Sequence, residues 1–224
     1  MMLKHKVVVF DLDDTLYKEV DYLKSAFRHI ASLVSNVNVS QNEIYQLMWN
    51  TYQQGRNAFE TAVQTYGFHL YDVQWMLSVY RNHKPAIKLD EDTKSTLDWL
   101  KARGVTMGIL TDGRKIQQMN KIDALGLKDY MNENRIIIND KYERQKPDSR
   151  SFKTLMDMCG KGCDFWYVGD NTAKDFVVPN HLAWKTVCFI DDGRNIHQQR
   201  FDLPEEYLPQ ERIKLLSELK SIVA

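Results

Sequence analysis

Two aspartates one residue apart, Asp11 and Asp13, stand in Asp11-Leu12-Asp13-Asp14-Thr15, directly after the apolar run Val7-Val8-Val9-Phe10. Side chains alternate along an extended segment, so Asp11 and Asp13 point to a common side. Two close carboxylates repel unless a cation or a proton lies between them. Their hard oxygen donors suit a divalent ion such as magnesium. Further along, Thr111-Asp112-Gly113 offers a hydroxyl and backbone N–H groups entering a helix, a combination that holds an anion. Lys146 precedes Pro147 and a helix start, which places a cation at a loop where it can balance phosphate charge. Gly169 allows a tight turn that aims Asp170 at the rim carrying Asp11, and Asp175, about one turn later, points back. Taken singly, the first of these pieces reads equally well as a solvated acidic loop, and the second and third read better as an ordinary N-cap and a loop lysine. Their order, each at the end of an expected strand, makes them far more specific together.

The elements that must position them are legible as short β-branched or apolar runs at 7–10, 105–110, 136–138, 165–168 and 186–190. Helical patterns intervene at about 92–102, 115–125, 149–158 and 173–181. Such alternation predicts an α/β fold, a Rossmann-like doubly wound parallel sheet covered on both faces. Gly104 and Gly126 fall just past helix ends, where a left-handed cap costs little. From 18 to 88 the alternation stops. Apolar residues recur there at three and four, in sets around Tyr22, Ile30 and Val34, Ile44 and Met48, Phe59 and Val63, and Met76 and Tyr80. That spacing predicts four helices inserted after the first strand. The stretch 209–223 is amphipathic and is expected to pack a last helix on the core.

The order and residue types of the four polar pieces resemble those of the haloacid dehalogenase superfamily. Its first motif, Asp-x-Asp-x-Thr after an apolar strand, stands here as Asp11 to Thr15; its second-motif hydroxyl matches Thr111; its third-motif lysine matches Lys146; its fourth motif matches Gly169-Asp170 through Asp175. The resemblance covers about 6–190 and places the insert where members with a helical C1-type cap carry theirs. It implies a core domain formed by 1–17 and 89–224 and a helical cap formed by 18–88. It also implies that Asp11 attacks phosphorus to form an aspartyl-phosphate, and that Asp13 protonates the leaving oxygen and then accepts a proton from water. Magnesium would be held by the carboxylates of Asp11 and Asp170 and the backbone carbonyl of Asp13. Thr111, with the backbone N–H groups of Asp112 and Gly113, would grip the phosphoryl oxygens; Lys146 would offset charge, and Asp175 would orient Lys146 or a metal-bound water. Members that cleave carbon–halogen bonds lack an acid at the position of Asp13, because halide needs no proton, so Asp13 favours phosphate esters. A phosphomutase of the same fold is the alternative, with a haloacid dehalogenase or a non-catalytic binding protein behind it.

Lys plus Arg and Asp plus Glu both count 30, which gives no support to a nucleic-acid partner. No apolar run approaches a membrane span, and 1–10 lacks the long apolar stretch of a signal peptide, so a cytoplasmic location is expected. Cys159, Cys163 and Cys188 are expected to be reduced thiols, since Cys159 and Cys163 lack the second ligand pair zinc needs. The aromatics of 18–88 fit a small helical core better than a base-stacking surface. Tyr17, Lys18 and Arg56 lie where a cap can face substrate. The segment Asp191-Asp192-Gly193-Arg194 reads as a solvated turn, and none of the six histidines shows ligand spacing. The substrate expected is a small phosphorylated metabolite, a sugar phosphate or nucleoside monophosphate.

Overall fold

The computed structural model describes residues 5–160 and 162–224. Six parallel strands form one sheet: β1 (Lys6–Phe10), β2 (Thr106–Asp112), β3 (Ile136–Asn139), β4 (Asp164–Gly169), β5 (Lys185–Phe189) and β6 (Glu211–Ile213). Their order is β3-β2-β1-β4-β5-β6. The chain runs outward from β1 to β3, returns to the other side of β1, and runs outward again. Ligands in such sheets bind beyond the carboxyl ends of the strands where the winding reverses. Here that point is the β1–β4 seam.

Alternation within β1 shows why both faces are covered. Val8 and Phe10 join one apolar cluster with Leu97 and Leu100 of α5 (Glu91–Ala102), Ile122 of α6 (Lys115–Ala124), and Leu219 and Val223 of α9 (Leu219–Val223). Val7 and Val9 join a second cluster with Phe152 and Leu155 of α7 (Arg150–Cys159) and with Val177 and Val178 of α8 (Val177–His181). Each such aliphatic side chain, once buried, contributes roughly 1.5–3 kcal/mol.

Between β1 and α5 come the four expected helices: α1 (Glu19–Val34), α2 (Gln41–Gln53), α3 (Ala58–Tyr66) and α4 (Val73–Asn82). Ser40 and Glu43 close a capping box at α2, and Asn57 and Asp72 cap α3 and α4. A third apolar cluster, with Phe27, Ile30, Ile44, Met48, Phe59 and Met76, holds these helices together, and Trp49, Tyr52, Tyr66, Phe68, Tyr71, Trp75 and Tyr80 pack against it. Those aromatics therefore do serve a helical core. α1 has two loyalties, because Tyr22 and Ala26 pack into the main cluster while Leu23 and Phe27 pack into the third.

Three expectations need correction. The stretch 209–223 is not one helix: β6 adds an edge strand to β5 through Val187 to Phe189, and only then do a 3-10 turn and the short α9 follow. The helix expected at 173–181 begins at Val177, because residues 171–175 form turns that serve the site. Gly169 is not needed for a left-handed backbone; a Cβ there would stand 2.5 Å from Asp175 Oδ2, so its role is to leave room. Gly104 and Gly126 do take left-handed conformations after α5 and α6, as expected. The three cysteines are free, with Cys188 buried. Among the described residues no helix is long and apolar enough to cross a membrane.

Candidate active site

Asp11 follows the last residue of β1, and its N–H donates to the Val168 carbonyl at 2.8 Å, which ties it to β4 across the switch point. Asp170 follows β4 directly. Thr111 and Asp112 are the last residues of β2 itself, not of the turn beyond it. All of these lie at the carboxyl edge of the sheet.

Lys146 enters from the loop before α7. Its ammonium donates to Asp11 Oδ1 at 2.8 Å, to Asp175 Oδ1 at 2.7 Å and to the Tyr167 hydroxyl at 2.9 Å, and its side chain is fully buried. Burial alone would push the Lys146 ammonium down, but Asp11 and Asp175 outweigh it and hold it well above the ordinary lysine range. The loop is fixed from its backbone too, for Asp112 Oδ1 accepts from the Lys146 N–H at 3.1 Å and from Asn139 Nδ2 at 3.0 Å. Asp175 completes the arrangement by accepting the Asn171 N–H on Oδ2 at 2.8 Å. The sequence placed Asp175 pointing back at the site; the geometry puts it on Lys146.

Asp11, Asp170 and Asp175 each offer a carboxylate oxygen, and these lie within 4.8 Å of one another. Burial pushes the Asp11 carboxyl up to about 6 against the pull of Lys146. Burial, with Asp175, Asp11 and Asp14 alongside, pushes Asp170 up to about 9. Acids crowded in this way are short of positive charge, which is the condition a bound cation relieves. Asp170 Oδ2 accepts from Asn195 Nδ2 at 3.0 Å, and Asn195 in turn accepts from Lys18 at 2.8 Å.

Asp13 is brought next to Asp11 in the chain but is held by a different set of partners. Its Oδ1 accepts from Lys121 Nζ at 2.7 Å and from the Tyr17 hydroxyl, and its Oδ2 accepts from Gln118 Nε2 at 2.8 Å. Burial pushes this carboxyl up, but Lys121, Tyr17 and Gln118 together hold it below the usual carboxylate range. The same Gln118 Nε2 donates to Thr111 Oγ1 at 2.8 Å, leaving the threonine hydroxyl hydrogen free to donate. Gly113, with φ of 142°, lies where a Cβ would come within 3.1 Å of the Gln118 side chain. Its N–H donates to the Asn139 carbonyl at 3.2 Å and is not a free anion donor in this structure.

Residues without a role in the sequence reading complete the surroundings. Asp14, at φ 56°, accepts the N–H groups of Glu19 and Ile196, both at 2.9 Å, and so pins the start of α1 and the loop after β5 to the site. Asp191, read as part of a solvated turn, accepts the N–H groups of Gly193, Arg194 and Asn195 and shapes that loop. Lys174 donates to Asp112 Oδ2 at 3.1 Å. Tyr17 and Lys18 do reach the site, whereas Arg56 is exposed and bonded to Gln54. A cavity of about 130 Å³ opens between Asp11, Asp13, Thr111 and Asp170, with Glu19, Lys174 and His197 also in its wall. Gln118 and Lys121 carried no signal in the sequence, where polar residues on a helix read as solvated; the loop residues Asn195 and His197 likewise had none.

Comparison with known proteins agrees with this fold. The family described as haloacid dehalogenase-like hydrolase matches residues 8–186 of the 224. A glyceraldehyde 3-phosphate phosphatase of Methanocaldococcus jannaschii is 26% identical over 97% of this chain and 96% of its own length. One from Pyrococcus furiosus is 29% identical over 84% of this chain and 82% of its own. Among solved structures, the HAD-hydrolase YfnB of Bacillus subtilis, bound to magnesium, superposes with a TM-score of 0.65 at 16% identity, covering 99% of both chains. A HAD phosphatase from Thermococcus onnurineus gives 0.59 at 21% identity and 98% coverage of both. At such identities the structures establish the fold, and the family match across most of its length establishes that the chain belongs to the haloacid dehalogenase-like hydrolases.

Proposed function

We propose that the protein is a magnesium-dependent phosphatase that hydrolyses a small phosphorylated metabolite through an aspartyl-phosphate on Asp11. It is read as a core of 1–17 and 89–224 under a helical cap of 18–88. The observation that carries the reading is Lys146, buried 2.8 Å from Asp11 with Asp170 across the β1–β4 seam. A buried cation on a carboxylate beside an anion-sized cavity matches the demand of phosphoryl transfer, which is charge stabilisation and positioning.

The residues fit a hard divalent cation. The donors are all carboxylate oxygens within 4.8 Å of one another. Acidic groups also dominate the cavity wall, where Lys174, paired with Asp112, stands against Asp11, Asp13, Asp14, Glu19 and Asp170, so a phosphate dianion needs a cation to enter. Asp175 is occupied by Lys146 and the Asn171 N–H. Asp11 and Asp170 are therefore the carboxylates assigned to hold magnesium, and the family resemblance adds the Asp13 backbone carbonyl. Bound there, the ion would shield the attacking carboxylate from the phosphate's negative charge.

In the first step an Asp11 carboxylate oxygen forms a bond to phosphorus as the ester P–O bond breaks. The leaving oxygen takes the electron pair and a proton from Asp13. In the second, water attacks phosphorus, gives its proton to Asp13, and the Asp11–phosphorus bond breaks to release phosphate. The partners of Asp13 favour its carboxylate, the form that serves this second step. Thr111 holds a phosphoryl oxygen, and Lys146, whose ammonium is spent on Asp11, Asp175 and the Tyr167 hydroxyl, offsets charge throughout. A cavity of about 130 Å³ is below the roughly 300–1,000 Å³ of drug-sized sites, which suits a phosphate on a short carbon chain. The named activity of the curated relatives makes glyceraldehyde 3-phosphate the first ester to try.

A phosphate-release assay over a metabolite panel tests the reading, with p-nitrophenyl phosphate as a general substrate. Activity should require magnesium, disappear with EDTA and be abolished by Asp11→Asn. Hydrolysis that survives both EDTA and Asp11→Asn rules the mechanism out.

A further inference from the structure

On α6, 105 to 108 residues beyond Asp13 in the chain, Gln118 and Lys121 lie three positions apart and so share a helix face. Lys121 is 1% exposed, an unusual place for a lysine. Its ammonium lies 2.7 Å from Asp13 Oδ1, 3.5 Å from Glu19 Oε1 and 4.7 Å from the centre of the Tyr22 ring. Together with the Tyr17 hydroxyl, these donors occupy both oxygens of the Asp13 carboxylate.

We propose that Lys121, Gln118 and Tyr17 are positioning residues that hold the Asp13 carboxyl in one orientation beside Asp11, so that it meets the leaving oxygen and then the attacking water. The inference rests on the proposed phosphatase reading and extends it to three residues that do not touch the reacting atoms.

The arrangement does what a free aspartate cannot. An aspartate side chain turns about two bonds, and each donor removes part of that freedom. Lys121 and Tyr17 meet at one oxygen, while Gln118 takes the other and also reaches Thr111 Oγ1, so the carboxyl is registered against the hydroxyl assigned to the phosphate. Gly113 leaves the space in which the Gln118 side chain lies. Glu19, the first residue of α1, shares Lys121 with Asp13, which ties the inserted helices to the same point. Misplacing a reacting group by an ångström costs about 100-fold in rate, so loosening Asp13 has an effect of that order.

A double-mutant cycle in kcat/KM tests this. The substrate is phenyl phosphate, whose leaving oxygen needs a proton, so that the acid role of Asp13 is read in kcat/KM. In the wild-type background Lys121→Met should lower kcat/KM by about 100-fold. Tyr17→Phe, which keeps the ring and the fold, should lower it by about 10-fold. In the Asp13→Asn background both should change it by less than about twofold, because residues acting as a unit are not additive. With p-nitrophenyl phosphate, whose leaving group needs no proton, the wild-type-background losses should be smaller than with phenyl phosphate. Losses that multiply in the Asp13→Asn background, or that are the same for both esters, assign these residues a merely structural role and overturn the inference. Near-wild-type activity of Tyr17→Phe and Lys121→Met does so too. A wild-type protein that hydrolyses neither ester removes the phosphatase reading and this inference with it, whereas an active wild type with multiplying losses removes the inference alone.

Discussion

Gly169→Ala adds one methyl group at the point where β4 delivers Asp170, and the structure sets its cost. The new Cβ would stand 2.5 Å from Asp175 Oδ2, 2.8 Å from its Cγ and 3.1 Å from its Cβ. The carboxyl has nowhere easy to go: it is fully buried, with one oxygen on Lys146 at 2.7 Å and the other on the Asn171 N–H at 2.8 Å. It must retreat by at least 0.5 Å to reach even 3.0 Å, and that motion stretches one of those bonds. Overpacking a filled site costs about 1–3 kcal/mol. Weakening a hydrogen bond between charged groups costs a further ~1.5–3 kcal/mol at most. Alanine regains about 0.4–1 kcal/mol by restricting the unfolded chain, and no left-handed strain enters. The net expectation is a loss of about 3 kcal/mol in urea unfolding, with kcat lower by about 100-fold because Lys146 moves with Asp175. The decisive measurement repeats the substitution in an Asp175→Ala background, where the two nearest atoms are gone and only the Cβ at 3.1 Å remains. There it should cost less than about 1 kcal/mol, a coupling expected only of groups in contact. A small cost in the wild type, or an equal cost in both backgrounds, refutes the argument that Gly169 exists to seat Asp175.

Two further outcomes follow from the same structure. Magnesium at about 100 times its dissociation constant should stabilise the protein by about 2.7 kcal/mol in urea melts, and Asp170→Asn should lose that increment; an unchanged increment in the variant would remove Asp170 from the metal site. His83 is buried, with His29 stacked on it at 5.0 Å, and burial first and His29 second bring its pKa down to about 4. The unfolded chain then binds the proton more readily, so the stability due to neutral His83 is complete at pH 8 and is lost as pH falls from about 6.5 towards 4. Between pH 8 and pH 5 the wild type should lose about 2 kcal/mol more than His83→Met does. The difference between the two proteins is what is read, since Glu19 and Asp170, both pushed up by burial, add a slope of opposite sign. Parallel pH profiles would remove His83 from the account.

Much of the fold was legible because its signals are local. β1, β2, β4 and β5 lie inside the sheet, and burial on both faces writes continuous apolar runs such as Val7-Val8-Val9-Phe10; β3, half-buried at the sheet edge, still shows as Ile136-Ile137-Ile138. The inserted helices betray themselves by three-and-four spacing, for each must bury one stripe against the third cluster. β6 was not legible. It is three residues long at a sheet edge, and only its pairing with β5 makes Glu211–Ile213 a strand. Its single buried side chain, Ile213, fits a helical stripe equally well.

The site divides along the same line. The types and order of Asp11, Asp13, Thr111, Lys146 and Asp170 are written in the sequence because each sits at or near a strand end, and parallel strands collect their carboxyl ends at one edge. That Lys146 lies on Asp11 and Asp175, that the N–H of Gly113 is spent on Asn139, and that Asp13 is held by Lys121, Gln118 and Tyr17 are decisions of tertiary structure. A buried lysine on a helix has the same local signature as an exposed one. What distinguishes Lys121 is a carboxylate 108 positions away in the chain, and hydrophobic spacing encodes which face is apolar, not which charge will meet which.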